Sequence, residues 1–218
     1  MAYFPMFIEL DNKKCLIVGG GEVAYRKAIV LNDFNADITI IAPCINDKIK
    51  NLCGITYIEK EFENNDLLDK FLVVAATDDE ILNHNIACFC KEKNIHINAV
   101  DQIQDCGFIF PSYIKEEDVV AAFSSGGNSP VVTQYLKREC KTIVTKHIGK
   151  LANFLGSIRP VVKEACQSEK ERKNVYKYLL NYGIENNVIP SNEQVEKTLD
   201  IYKESWGKNN GKNETIKS

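Results

Sequence analysis

An α/β fold is predicted, a parallel sheet flanked by helices and followed by a smaller α+β segment and a helical region. Three observations predict it. Short apolar runs alternate with longer helical stretches through the first half of the chain. Three consecutive glycines, in CLIVGGGEVAYRK (15–27), stand between one such run and one such helix. After Pro111 the alternation stops and helix-forming sequence dominates. Strands separated by helices of this length imply βαβ units with right-handed crossovers, hence a parallel sheet.

Taken in order, KCLIV (14–18) is a continuous apolar run, as a strand covered on both faces requires. EVAYRKAIVLNDF (22–34) places Val23, Ala28 and Leu31 at helical spacing. DITIIA (37–42) is the next strand, ITYIEKEF (55–62) alternates as one nearer an edge does, and FLVVAA (71–76) is the most apolar run. DEILNHNIACFCKEK (79–93) reads as helix, with Leu82, Ile86 and Phe89 on one side. IHINAV (95–100) and GFIFP (107–111) are expected to close the series as strands. DVVAAFSS (118–125) is one more strand. SPVVTQYLKRECKTIVTKHI (129–148) then reads as helix, with Asn128 or Ser129 as N-cap and Pro130 in the first turn. Helix is expected to about residue 205, punctuated at Gly149, Pro160, Gly183 and Pro190, before a polar tail, GKNNGKNETIKS, expected to fray.

The expected division is an α/β domain over 1–113, a segment over 114–148 with a wide apolar face, and a helical region over 149–218. The second half is too small and too helical to bury a core of its own easily. Val132, Leu136, Cys140 and Ile143 form a stripe with Val131, Tyr135 and Val144 beside it, a face that calls for the first domain or a second copy of the chain.

Composition narrows the function classes. The 218 residues are 44% apolar and 26% charged, an ordinary globular balance, and the net charge of −3 disfavours a broad nucleic-acid footprint. No run reaches the ~20 apolar residues of a membrane span, and MAYFPMFIELDNKK lacks the basic start of a secretory leader. Eight cysteines without a CxxC pair, mostly inside apolar segments, read as buried free thiols in a reducing cytoplasm. His84 and Cys88 share a helical face, whereas Cys88 and Cys90 face opposite ways; two ligands alone make a weak metal site, and none is expected.

The glycines read Gly19-x-Gly21-x-x-Ala24 directly after a buried strand and at the start of a helix, the context a dinucleotide fingerprint requires. Gly19 permits the turn, Gly21 admits a pyrophosphate to the main chain, and Ala24 lets the helix approach the strand. The N–H groups near Glu22 and Val23 would face the phosphates. Where an acidic residue usually holds the ribose, this chain has Ala42, Pro43 and Cys44; the candidates to replace it are the backbone groups of Pro43 and Cys44 or Asp47 reaching back. No arginine waits there for a 2′-phosphate, so NAD is favoured over NADP.

Ligands of open α/β sheets bind beyond the carboxyl ends of the strands, and three polar clusters fall there. Thr77-Asp78-Asp79 follows FLVVAA and either lines a dinucleotide or caps a helix. Asp101 follows IHINAV and serves as a turn residue or as a base that takes a proton while hydride leaves. SSGGNS (124–129), with Ser124, Ser125, Gly126 and Asn128, offers hydroxyls and open N–H groups to an anion, or simply turns a strand into a helix.

FPMFIEL (4–10), CLIVGGGEVAYRK, AATDD (75–79) with Asn83, INAVD (97–101), FIFPS (108–112) and SSGGNSPV (124–131) together resemble the precorrin-2 dehydrogenase and sirohydrochlorin ferrochelatase family. The resemblance covers residues 4 to about 138 and is loose beyond about 150. It implies a Rossmann-like NAD domain, a homodimer whose cleft holds a tetrapyrrole, and oxidation of precorrin-2 to sirohydrochlorin. It implies Asp101 as general base, Ser125 in the substrate segment, and a use for Arg26, Lys137, Arg138 and Lys141 against eight substrate carboxylates. A bifunctional enzyme that also inserts ferrous iron and a non-catalytic dinucleotide sensor are the competing readings.

Overall fold

The structure, a computed structural model, describes residues 3–210, with side chains through residue 202. The expected tail begins at Gly207, and its residues from 211 lie outside the described ones. The chain forms two units that divide after Phe110.

In the first unit, β1 (Lys14–Val18), β2 (Asp37–Ala42), β3 (Ile55–Glu59), β4 (Leu72–Ala75) and β5 (His96–Ala99) make one parallel sheet in the order β3-β2-β1-β4-β5. The crossovers carry α1 (Glu22–Asn32), the short α2 (Asp47–Lys50) and α3 (Glu80–Glu92). Side chains alternate across a strand, so β1 feeds two cores at once. Ile17 packs with Ala24, Ala28, Leu31 and Ile40, while Leu16 and Val18 pack with Val73, Ile86 and Ile97. Each fully buried Leu or Ile contributes about 1.5–3 kcal/mol, which is why the central strands read as unbroken apolar runs. β3 lies at the edge of the sheet, as its sequence led one to expect, but its side chains are mostly exposed and show no buried alternate face.

GFIFP forms no strand. Gly107 and Phe108 both donate their N–H groups to the single Ile97 carbonyl, at 2.8 and 3.4 Å, which makes a bend and not a ladder. The Phe108 and Phe110 rings, 5.2 Å apart, instead close the edge of the first core. A short apolar run has the same composition whether it joins a sheet or covers one.

The second unit opens with an antiparallel hairpin of β6 (Ser112–Glu116) and β7 (Val119–Phe123), turned at Glu117 with φ +54°. SYIKE was not anticipated as a strand because only Ile114 in it is buried. Helices α4 (Pro130–Cys140), α5 (Lys146–Ser157), α6 (Arg159–Ala165), α7 (Glu169–Asn186) and α8 (Asn192–Asn210) follow. The single helix expected over 129–148 breaks at Lys141, where the β-branched Thr142, Ile143, Val144 and Thr145 lower helix propensity and Thr145 caps α5.

Two expected punctuation points are interior to helices. A Cβ on Gly149, inside α5, would overlap the Glu116 carbonyl, and one on Gly183, inside α7, would overlap Leu151. Both glycines mark close approach, not chain breaks. Pro160 sits in the first turn of α6, and Pro190 separates α7 from α8. Contrary to expectation, this unit has its own core of Ile158, Val162, Cys166, Val175, Leu179, Val195 and Leu199. Four helices meeting along their apolar stripes supply area that a count of strands could not reveal.

The α4 stripe is another matter. No residue of α4 is buried, and Val131 (77% exposed), Tyr135 (52%) and Ile143 just beyond it (70%) face solvent. Of the eight cysteines only Cys15, Cys90 and Cys166 are buried; Cys44, Cys53 and Cys88 are exposed, because apolar neighbours in sequence do not guarantee an inward face.

Candidate active site

The three glycines answer to different demands. Gly19 has φ +125°, and a Cβ there would overlap the Ala76 carbonyl at the end of β4. A Cβ on Gly20 would overlap the Cys44 carbonyl after β2, whose neighbour Asn46 donates its N–H to the Gly20 carbonyl at 2.9 Å. These two glycines let the turn nest between the exit loops of β2 and β4. Gly21 is the N-cap of α1 at φ −88°, an ordinary conformation, and a Cβ there meets nothing within 4 Å. No side chain caps α1, so its first N–H groups are left for an anion, which the helix dipole favours.

Those groups face a cavity of about 1100 Å³ at the point where the strand order reverses between β1 and β4. Gly19, Gly21, Glu22 and Val23 line it from one side, Pro43 and Cys44 from the second, Thr77 from the third. Ala24 does not line it; it is fully buried under α1, where it brings helix and sheet together. Asp47 is on the wall, in the first turn of α2. Glu22 places a carboxylate near the expected phosphates, and Lys48, 3.0 Å from it, offsets that charge.

Thr77 is held from within. Its N–H and hydroxyl donate to Asn83 Oδ1 at 3.2 and 2.8 Å, and Asn83 Nδ2 donates back to the Thr77 carbonyl at 2.9 Å. Asp79 caps α3 by accepting from Ile81 and Leu82. The Thr77 loop is therefore tied to α3 by three hydrogen bonds, and its hydroxyl is already engaged.

Asp101 stands in the turn after β5, exposed, with φ +61°. That conformation costs an L-residue about 1 kcal/mol or more, least for Asp and Asn. Strands are ~4.8 Å apart, so Asp101 leaves the sheet two strands, about 10 Å, from the glycine loop. Sequence reasoning gave Lys27 no role of its own. Its ammonium lies 3.9 Å above the Phe110 ring and in the field of Asp101; burial pulls its pKa down, and Cys106 and Asp101 oppose that. Its signal was a lysine on the inner side of α1, beside the buried Ala24 and Ala28.

In the second unit, the loop after β7 is closed on itself. Ser125 Oγ donates to the Ser129 carbonyl (3.1 Å) and accepts its N–H (2.9 Å), Asn128 Nδ2 donates to the Ser125 carbonyl (3.0 Å), and Ser124 Oγ accepts from Gly126 (3.0 Å). Gly126 and Gly127 have φ of +65° and +89°, and Ser129, not Asn128, caps α4. Asp101 and this loop belong to different units. Of the basic residues singled out, Arg138 pairs with Glu139 at 3.1 Å and Lys137 lies 5.5 Å over the Tyr113 ring; Arg26 and Lys141 are exposed. Among the described residues no group of three or more His, Cys, Asp or Glu is arranged to hold a metal, and no helix is long and apolar enough to cross a membrane.

Residues 6–112 match a family described as putative NAD(P)-binding. The siroheme synthase of Tolumonas auensis is 38% identical over 177 residues, 81% of this chain and 38% of that protein. That of Actinobacillus succinogenes is 37% identical over 184 residues, 83% of this chain and 39% of its own length. Over about four fifths of its length the chain is similar to siroheme synthases. It spans about two fifths of the length of these relatives. A solved structure of SirC, a precorrin-2 dehydrogenase, superimposes with a TM-score of 0.65 at 21% identity, covering 93% of this chain and all of the other, and shows the shared fold. The first unit is thus a Rossmann-like nicotinamide-dinucleotide domain, as the glycine fingerprint led one to expect.

Proposed function

We propose that this protein oxidises precorrin-2 to sirohydrochlorin with NAD. The observation that carries the proposal is the pairing, on one sheet edge, of an unobstructed Gly21 with a strained carboxylate, Asp101, two strands away, in a chain related to siroheme synthases over four fifths of its length. Gly21 and the uncapped start of α1 hold the pyrophosphate, and Pro43 and Cys44 border the adenosine end. Bound there, NAD supplies a two-electron hydride acceptor. Asp101 takes the proton released as hydride leaves the substrate, so two electrons and two hydrogens are accounted for. Lys27, over the Phe110 ring, contributes a positive charge to the field around Asp101. With neither carboxylate nor arginine at Ala42–Cys44, NAD is read as the cofactor in preference to NADP.

The loop Ser124–Asn128 is read as the substrate segment, and the exposed face of α4 as the contact with a second copy, giving a homodimer. A reducing, cytoplasmic setting agrees with eight free cysteines. The test supplies precorrin-2 anaerobically with NAD and follows NADH and sirohydrochlorin by absorbance, then adds ferrous iron. NADH formation supports the dehydrogenase, iron-dependent siroheme above the protein-free rate adds the second activity, and bound NAD without turnover returns the sensor.

A further inference from the structure

Outside the dinucleotide cavity, α3 carries His84 and Cys88 one turn apart, and the 3-10 turn Ile103–Asp105 brings Asp105 against them. Asp105 Oδ2 lies 2.7 Å from His84 Nδ1, and Cys88 Sγ lies 3.5 Å from His84 Nε2. Asp105 is buried, and the hydrogen bond from His84 chiefly, with Lys91 3.5 Å away, holds its carboxyl below the usual range. An ionised carboxylate only accepts hydrogen bonds. In a neutral ring Nδ1 then carries the proton, and Nε2 is left as the acceptor facing the thiol. Nucleophile, base and orienting carboxylate stand in a row, the arrangement that activates a side chain for attack.

Cys88 also lines a cavity of about 620 Å³, walled by Phe62, Leu82 and Phe89 and edged by the carboxylates of Glu63 and Glu92. Apolar walls with an acidic rim favour an uncharged or cationic molecule. Two residues along the chain, Cys90 is buried and its thiol is pushed up to about 12, which marks it as inert by comparison.

We propose that Cys88 is a reactive-thiol site that accepts an uncharged or cationic low-molecular-weight disulfide, with His84 as its base and Asp105 as the residue that positions His84. In the step, the thiol proton passes to His84 Nε2 as Cys88 Sγ bonds one sulfur of the disulfide. The disulfide's S–S bond breaks, and its second sulfur departs as a thiolate that recovers the proton from the imidazolium. Cys88 is oxidised to the mixed disulfide, and the leaving half is reduced to a thiol.

The test treats the full-length protein with dipyridyl disulfide, follows release of the thiopyridone, and locates the adduct by peptide mass spectrometry. Cys88 should react at least ~10-fold faster than Cys53, which is also exposed. His84→Ala should bring it down to the Cys53 rate, and added imidazole should restore part of the loss. The ¹⁵N spectrum of His84 should show the Nδ1–H tautomer and move toward Nε2–H in Asp105→Asn. Equal rates at Cys88 and Cys53, or an unchanged rate in His84→Ala, would overturn the proposal. So would a loss that imidazole leaves untouched, or a wild-type ring in the Nε2–H form.

Discussion

Substituting the three adjacent glycines one at a time should separate folding from cofactor binding. A Cβ at Gly21 meets no protein atom within 4 Å, and its φ of −88° suits any residue, so Gly21→Val should leave the apo protein as stable as wild type. The gain of about 0.4–1 kcal/mol from a stiffer unfolded chain is offset by a similar loss from replacing glycine with valine at the N-cap. The same side chain fills the approach to the first N–H groups of α1. Loss of two charge-assisted hydrogen bonds from the pyrophosphate, at about 1.5–3 kcal/mol each, comes to about 3–6 kcal/mol, so the NAD Kd should rise at least ~100-fold. Gly19→Ala acts in the opposite sense. Its φ of +125° and the overlap with the Ala76 carbonyl fall on the protein itself. A cost of about 3 kcal/mol should lower the Tm by roughly 10 °C. The assays are thermal unfolding without ligand and calorimetric titration with NAD. Wild-type NAD affinity in Gly21→Val would refute the reading of Gly21 as the opening. An unchanged Tm in Gly19→Ala would refute the packing argument for Gly19.

Asp101→Asn preserves the left-handed backbone and the side-chain shape but not the base; turnover of precorrin-2 should fall about 10²–10⁴-fold while the NAD Kd stays within about twofold, measured by stopped-flow and titration. Asp105 has its folded pKa lowered below the ordinary 3.8, so its contribution is fully present above 3.8 and is lost as pH falls through the lowered folded value. The stability gap between wild type and Asp105→Asn, taken from denaturant midpoints, should therefore be constant near neutrality and close in that acid window. Gly149→Ala gains about 1 kcal/mol of helix propensity but drives a methyl into the Glu116 carbonyl, and a net loss of about 1–3 kcal/mol should appear in thermal melts. Leu136→Glu on the exposed face of α4 should convert a dimer to a monomer by light scattering with the Tm of the monomer unchanged.

Much of the first unit was legible because its physics is local. A parallel strand buried on both faces must be apolar along its length, so β1, β2, β4 and β5 were readable directly, and the sharp turn after β1 announced the cofactor. GFIFP misled because an apolar segment that seals a sheet edge and one that joins it satisfy the same composition. In the second unit the decisive contacts are distant in sequence: Gly149 against Glu116 and Gly183 against Leu151. No periodicity records such pairs, so both glycines looked like helix ends. The thiol site was half visible, since His84 and Cys88 share a helical face, but Asp105 enters from a 3-10 turn 21 residues beyond His84, a distance at which spacing carries no information.

The glycine loop shows why motif reading succeeds where it does. Gly19 and Gly20 answer to the fold, since each is pressed against a backbone carbonyl of a neighbouring exit loop. A Cβ on Gly21 would meet nothing inside the protein, and the proposed pyrophosphate supplies a reason for a bare backbone at a helix start that no side chain caps. A structural turn would require the first two glycines and tolerate alanine or serine at the third, where serine would even supply the missing cap. The absence of that inexpensive improvement agrees with the proposed anion site, and it makes Gly21→Ser the sharpest single discriminator. It should raise the Tm of the ligand-free protein under either reading, but it should also weaken NAD binding only if the loop is a binding site.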